Sequence, residues 1–241
     1  MDILSLLVIG PGGWGDEILW GLCVTLALAL ATFPVAIVLS FAIHCARSSS
    51  LAPVRIVGQA YATVFKSLPE ILTLLILYYQ AQAVLSWLVR RFLPQADLSI
   101  SPFFAGLVAL SLVISAYGSE VVRAAMNAVG KGQFEAAAAL GLSRARSFHK
   151  VILPQLWRHA LPGFGNLWVI LLKDTSLVSV IALSDLTHVA VIAINTTREP
   201  FLFYLAIGTI YVGLVTLSSL VQKVLEGRAA RGFTAAGGQH A

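Results

Sequence analysis

Four charged side chains interrupt apolar stretches of this sequence, and such charges need a partner. Lys66 and Glu70 interrupt one stretch, and Lys173 and Asp174 interrupt a later one. Ionisable groups inside apolar segments are rare, and they usually face a cavity, a neighbouring chain or a transported ion. An acidic residue near a transport path attracts cations.

Glu70 has two interpretations that the sequence leaves open. At about 1.5 Å per residue it lies roughly 20 Å into its segment, near the middle of a bilayer. It follows Pro69, which cannot donate a backbone hydrogen bond and opens a polar break in a helix. Glu70 either pairs with Lys66, four residues earlier, or meets a cationic substrate at this break. Glu120 and Arg123, three residues apart, are interpreted as a structural pair.

Lys173 and Asp174 are neighbours in the chain, and adjacent residues of a helix do not face each other. Each therefore needs its own partner, from this chain or from another subunit. Thr175 and Ser176 follow directly, and their hydroxyls are suited to hydrogen bonds between membrane helices. From the residues alone, structural pairing between helices accounts for this stretch.

The sequence contains no arrangement of residues that indicates catalysis. An enzyme needs a nucleophile, a base or metal ligands that converge. The glycines near the N-terminus are not followed by the Gly-Lys-Ser/Thr of a phosphate-binding loop. The histidines do not have metal-ligand spacing: His44, His149, His159, His188 and His240. We therefore expect no catalytic, cofactor or metal site in this chain.

The composition identifies the elements that must position these charges as membrane helices. The 241 residues are 58% hydrophobic and 11% charged, with a mean hydropathy of +0.86. Soluble domains carry about 25% charged residues, so the chain predicts an all-α integral membrane protein. Five crossings are predicted, at about 18–43, 56–88, 100–119, 161–183 and 200–221. Residues 1–226 form the predicted membrane domain, and 227–241 a polar tail.

The distribution of lysine and arginine predicts the orientation of the five crossings. With the N-terminus outside, the outer loops hold Arg90, Arg91 and Arg198. The cytoplasmic side then holds the larger set: Arg47, Arg55, Arg123, Lys131, Arg144, Arg146, Lys150, Arg158, Lys223, Arg228 and Arg231. The C-terminus is therefore predicted to be cytoplasmic. This topology explains the net charge of +5, which is not a signal for nucleic-acid binding.

The longest hydrophilic segment, from about 123 to 160, lies on the predicted cytoplasmic side. Residues 133–140 favour a short helix that Gly141 ends. A second helix is predicted from Ser143 to Leu153, with Pro154 after its end. Two short helices between membrane crossings form a surface that a second protein can contact.

The first of these short helices has two interpretations. Alanines 136–139 make it thin enough to lie deep in a groove of a soluble partner, and Glu135 supplies one charge in its first turn. The alternative is an amphipathic helix that lies on anionic lipid through basic residues. These residues are Arg144, Arg146 and Lys150.

The spacing of this loop resembles the EAA loop of ABC-importer permease subunits. It reads Glu135-Ala136-Ala137, three residues, Gly141, nine residues, Val151, one residue, Leu153-Pro154. The resemblance extends from about Ile18 to Arg228 and is to the polar amino-acid family of histidine, glutamate and opine permeases. Further matching residues are Glu120, Arg123, Gly130, Gly132, Gln133, Leu161, Pro162 and the run Leu172 to Leu177.

This resemblance implies a five-helix permease of the type I importer fold in the bacterial inner membrane. It implies a second permease subunit, identical or paralogous, an ATPase dimer that binds ATP and Mg²⁺, and a periplasmic substrate-binding protein. The expected contacts to the ATPase are Glu135, Ala136, Ala137, Gly141, Leu153 and Pro154. The expected substrate path is lined by Glu70, Lys173, Asp174, Thr175 and Ser176.

The residues before Glu70 indicate the class of transported substrate. Lys66-Ser67-Leu68-Pro69-Glu70 departs from the Arg-Gly-x-Pro of the wider family. An acid after this proline resembles the subgroup for histidine, lysine, arginine or opines such as octopine and nopaline. Another polar amino acid is the alternative, and a membrane enzyme or passive channel is a more distant one.

Overall fold

Helices account for all regular secondary structure in residues 3–92 and 99–230, the residues that this computed structural model describes. The α-helices of that part are α1 (Gly15–Arg47), α2 (Ala52–Ser67), α3 (Glu70–Phe92), α4 (Pro102–Ala128), α5 (Lys131–Ala139), α6 (Arg144–Ser147), α7 (Leu153–Asp174), α8 (Leu186–Thr197) and α9 (Pro200–Ala230). A π-helix covers Phe148–Ile152, and 3-10 helices cover Ile3–Leu7 and Thr175–Ile181. The all-helical class agrees with the prediction from composition.

Four helical stretches of the described chain are long and apolar enough to cross a membrane. They are Gly15–Arg47, Pro102–Ala128, Arg144–Ile181 and Pro200–Ala229. The pair α2 and α3 passes the same test together, but the two helices meet at 112°. The number of crossings is five if this bent pair counts as one.

The bend between α2 and α3 differs from the single crossing predicted over 56–88. Leu68, the residue after α2, is extended, with φ −86° and ψ 139°. Pro69 explains this, because its ring disfavours the helical conformation in the preceding residue and its nitrogen cannot donate. Glu70 then begins α3. The proline therefore places Glu70 at a corner of the fold.

The central helix is α4, which packs against α1, α2, α3 and α7. In its most apolar part 67% of the residues are buried, whereas in α9 only 11% are. Close packing of α4 depends on small residues: at Gly118 any side chain would overlap the Ser40 hydroxyl of α1. The outer surface of α9 is thus left for lipid or another subunit.

The loop between α5 and α7 differs from the prediction at Pro154. From Arg144 to Ile181 the helical segments follow one another, and Pro154 lies in the first turn of α7 rather than beyond a helix end. The preceding turn widens to a π-helix, where the Gln155 side chain donates to the Val151 carbonyl at 2.9 Å. The last helix also continues through Ala230, past the predicted start of the polar tail. Residues 231–241 of that tail lie outside the described residues.

A buried carboxylate caps the N-terminus of α8, outside the long apolar helices. Asp185 is 0% exposed, and it accepts hydrogen bonds from the amides of Thr187 at 3.3 Å and His188 at 3.0 Å. Gly21 of α1 lies against this turn, where a side chain would meet the backbone of Asp185 and Leu186. Burial raises the pKa of Asp185 to about 6, and the amide hydrogen bonds oppose only part of this effect.

This pKa predicts that Asp185 destabilises the fold as pH rises. The unfolded carboxyl has the ordinary value of 3.8, so between about pH 4 and 6 the folded chain binds the proton more tightly and loses stability with rising pH. From pH 5 to 7 the loss attributable to Asp185 is about 1 kcal/mol. In thermal unfolding of the purified proteins, Tm should change less between pH 5 and pH 7 for Asp185→Asn than for the wild type. An equal difference in the two proteins would contradict this assignment.

Candidate functional site

Two carboxylates from different helices interact electrostatically beside the bend. Glu70 is the first residue of α3, and Asp174 is the last residue of α7. Their carboxylates interact electrostatically, and the hydroxyl of Tyr117 on α4 lies in the field of both. Both acidic residues are half-buried, so part of each side chain faces open space. We call Glu70 and Asp174 the acidic pair.

Lys66 does not neutralise the acidic pair. Its Nζ lies 2.7 Å from Oε1 of Glu120. The same oxygen accepts from Arg47 at 2.9 Å, and Oε2 accepts from Arg123 at 2.8 Å. Glu120 therefore joins the ends of α1 and α2 to α4. The predicted pair of Glu120 and Arg123 is confirmed, whereas the ion pair of Lys66 with Glu70 is not formed.

Among the described side chains of residues 3–92 and 99–230, no cation forms a salt bridge with the acidic pair, and Lys173 acts on Asp174 only through its electrostatic field. Two like charges in a partly buried place repel each other, and the repulsion is stronger than in water. An ammonium or guanidinium group placed between them removes the repulsion and donates charge-assisted hydrogen bonds. The arrangement is therefore suited to binding an added organic cation.

The other residues of the predicted substrate path lie in different environments at the end of α7. Lys173 is exposed beside Asp174. Thr175 is fully buried, and its hydroxyl donates to the Leu172 carbonyl at 2.7 Å. The hydroxyl of Ser176 donates to the Lys173 carbonyl at 2.7 Å. The structure thus brings Asp174 into the acidic pair and engages both hydroxyls with the backbone of their own helical segment.

The predicted contact helix is α5, which has both a buried and an exposed side. Glu135 and Ala136 are exposed, while Ala137 is only 2% exposed. Gly141 has φ +71°, a left-handed conformation that glycine adopts at little cost after a helix. The exposed carboxylate of Glu135 is available to a partner, and Gly141 turns the chain as predicted.

The loop around α5 forms a folded unit. Leu153 and Pro154 begin α7, and α5 packs against α6 and the π-helix. Gln155 donates to the side chain of Gln133 at 3.1 Å across the unit. A groove of about 400 Å³, which sequence reasoning did not find, lies between these segments and is lined by Phe134, Ala138, Leu142, Arg144, Ser147 and Phe148.

The acidic pair and the loop are connected through α4. This helix carries Tyr117 in the field of the acidic pair and ends at Ala128. Val129 and Gly130 alone separate its end from the start of α5 at Lys131. One connection from the loop to the interior therefore passes along α4 and a joint of two residues, and a second passes along α7, which ends at Asp174.

Sequence reasoning missed Tyr117 and Arg47. Tyr117 lies three residues before Glu120, and residues at this spacing share one face of a helix. That spacing was a usable signal for Tyr117. Arg47 ends α1, and its contact with Glu120 joins residues 73 positions apart. No local pattern predicts a contact of that separation.

Three comparisons with known proteins bear on these features. The family model for binding-protein-dependent transport system inner membrane components matches residues 4–231. The octopine transport system permease protein of Rhizobium radiobacter is 33% identical over 97% of this chain and 98% of the relative. The arginine ABC transporter permease protein of Escherichia coli (strain K12) is 39% identical over 88% of this chain and 93% of the relative.

A solved structure shows the same chain fold. It is described as the crystal structure of an amino acid ABC transporter with histidines. The TM-score is 0.77 at 31% sequence identity, and the match covers 89% of this chain and 95% of the other. The overall fold of this chain thus has a counterpart in a membrane transporter.

Proposed function

This chain belongs to the family of binding-protein-dependent transport system inner membrane components, and we propose that it serves an importer of basic amino acids or opines. It is an inner-membrane permease subunit with the type I ABC importer fold. Its relatives are permeases for octopine and arginine. ATP and Mg²⁺ are then bound by a separate ATPase, and this chain performs no chemistry on the nucleotide.

The observation that supports a cationic cargo is the acidic pair. Glu70 and Asp174 interact at the break between α2 and α3, and Lys66 is held by Glu120 instead. A cationic side chain of the cargo relieves the repulsion between the two carboxylates. Tyr117, in the field of both, is suited to contact the same group. Lys173, Thr175 and Ser176 complete the proposed path.

Coupling to the ATPase is proposed to occur at α5 and the turn after it. The exposed Glu135 anchors the ATPase, and Ala136 and Ala137 keep the helix thin enough to approach it closely. Gly141 allows the chain to turn back, and Leu153 and Pro154 begin the helix that leads to Asp174. Motion of the ATPase pushes this unit and, through α4 and α7, changes the access to the acidic pair.

The proposed topology has the N-terminus outside, the C-terminus in the cytoplasm and five crossings, with α2 and α3 as one bent crossing. Its support is the excess of lysine and arginine on the side of α5. A second permease subunit covers the exposed end of α7, since Lys173 needs a protein or water-filled environment at membrane depth. A periplasmic binding protein delivers the substrate from the periplasmic side.

The proposed function is tested by uptake of labelled arginine, histidine and octopine. A strain that lacks this chain should lose ATP-dependent uptake of at least one of them and regain it with the gene. Unchanged uptake of all three would contradict the proposed substrate class. A passive channel would instead equilibrate the label without ATP, and a membrane enzyme would alter it chemically.

A further inference from the structure

Lys66 lies within reach of two acidic residues and pairs with only one of them. Four positions separate it from Glu70, across the break at Leu68 and Pro69. Its Nζ instead lies 2.7 Å from Glu120. Among the described side chains no cation pairs with Glu70. The partner that Lys66 takes therefore decides whether Glu70 carries an available charge.

Tyr117 links the surroundings of Lys66 to both acids. Its carbonyl accepts a hydrogen bond of 3.5 Å from the Tyr117 hydroxyl. On α4, Tyr117 and Glu120 are three residues apart and share a face, and Tyr117 also lies in the field of Glu70. The backbone of Lys66 thus lies beside the face of α4 that carries Glu120, and Tyr117 on the same face lies in the field of Glu70. A lysine ammonium on a flexible four-carbon stem can turn from one to the other.

Glu120 holds Lys66 together with two other cations. Oε1 accepts from both Lys66 and Arg47, at 2.7 and 2.9 Å, and Oε2 accepts from Arg123 at 2.8 Å. Without the negative charge of Glu120 these three cations repel one another. Within the described residues Glu120 is the acid that pairs with Arg47 and Arg123, whereas Lys66 also has Glu70 four residues further along the chain. Loss of the Glu120 charge therefore sends Lys66 to Glu70.

We propose that Glu120 determines cargo specificity by holding Lys66 away from Glu70, so that Glu70 stays open to the cationic group of the substrate. Glu120 does not touch the substrate in this arrangement. It is a positioning residue, and the inference rests on the proposed import of cationic amino acids.

The test uses the complete importer reconstituted in vesicles, with arginine and its neutral analogue citrulline as substrates. Glu120→Gln should raise the KM for arginine by about tenfold, since that factor corresponds to one modest ion pair. Competition by citrulline should change little. Adding Lys66→Met to Glu120→Gln should return the KM for arginine to within about twofold of wild type, because no lysine is then left to occupy Glu70.

Arg123→Met is the matched control. This variant removes one ion pair from the same carboxylate but leaves Lys66 paired with Glu120 beside the break between α2 and α3. The KM for arginine should therefore not change. A double variant as impaired as Glu120→Gln, or an Arg123→Met variant with the same rise in KM, would overturn the proposal. Either result would assign Glu120 a purely structural role.

A second variant and a wild-type control distinguish failure of this inference from failure of assembly or of the proposed function. If Glu120→Gln does not assemble, Glu120→Asp withdraws the carboxylate by one methylene, and its smaller rise in KM must again be reversed by Lys66→Met. A wild-type importer that takes up none of arginine, histidine and octopine contradicts the proposed function, and the KM comparison is made with a substrate that is taken up. An active wild-type importer, with an unchanged KM in the Glu120 variants, contradicts this inference alone.

Discussion

Glu135→Lys is expected to abolish coupled uptake while the ATPase subunits continue to hydrolyse ATP. Glu135 is exposed on α5, where an ATPase groove of opposite charge reaches it in the proposed complex. Reversing its charge removes the favourable ion pair and adds a repulsion. Loss of one partner of an interface charge pair costs about 2–5 kcal/mol, and about 1.4 kcal/mol is a tenfold change. Uptake should fall by at least about tenfold.

Gly141→Asp should have a similar effect through its added charge. Aspartate tolerates the left-handed conformation at φ +71° better than most residues, and its carboxylate would project into open space beside α5, where the ATPase approaches in the proposed complex. The measurement is the ratio of substrate imported to ATP hydrolysed in reconstituted vesicles. Normal uptake in both variants would remove α5 from the coupling contact.

The matched control for these variants separates a protein partner from lipid. Arg146 and Lys150 are both exposed in the same loop. If the loop lies on anionic lipid, replacing both with glutamine should impair uptake more than Glu135→Lys does. If the loop binds the ATPase through α5, the glutamine variant should keep most of its uptake.

Glu70→Gln is expected to reduce uptake of cationic substrates selectively. The variant keeps the shape of the side chain and removes its charge, so the acidic pair loses half of its attraction for an ammonium or guanidinium group. A hydrogen bond to a charged group contributes about 1.5–3 kcal/mol, which corresponds to about 10- to 100-fold in kcat/KM for arginine. Uptake of labelled arginine in competition with citrulline measures the selectivity.

Glu226→Gln is the control, because it removes a carboxylate charge outside the proposed substrate path. Glu226 lies on α9 and accepts a hydrogen bond from Gln222 at 2.7 Å, which a glutamine can also accept. Its variant should transport arginine as the wild type does. An unchanged rate and selectivity in Glu70→Gln would exclude Glu70 from the substrate path.

Local patterns predicted the helices well but not their meeting points. Long apolar runs require helices in a membrane, because each backbone polar group must be satisfied within its own segment. The turn at Gly141 follows from the rarity of its conformation in other residues. The 112° bend was not predicted, since Pro69 indicates a break but no angle.

The contacts of the charged residues were the least predictable. Lys66 has an acid four residues away, yet it pairs with Glu120, 54 positions distant. That choice depends on how α2 packs against α4, and no spacing within one helix encodes it. Glu120 and Arg123 were predicted correctly because both residues belong to one helix.

The two-residue joint at Val129 and Gly130 sets how far the loop can move independently of the membrane domain. A peptide of this length spans only about 7 Å, so a larger displacement of α5 must carry the end of α4 with it. Because the joint is short, most of a displacement of α5 is passed on to α4, and the length of the joint determines how much. Lengthening it with flexible residues would weaken transmission along α4 and leave α7, which leads to Asp174, to carry the displacement.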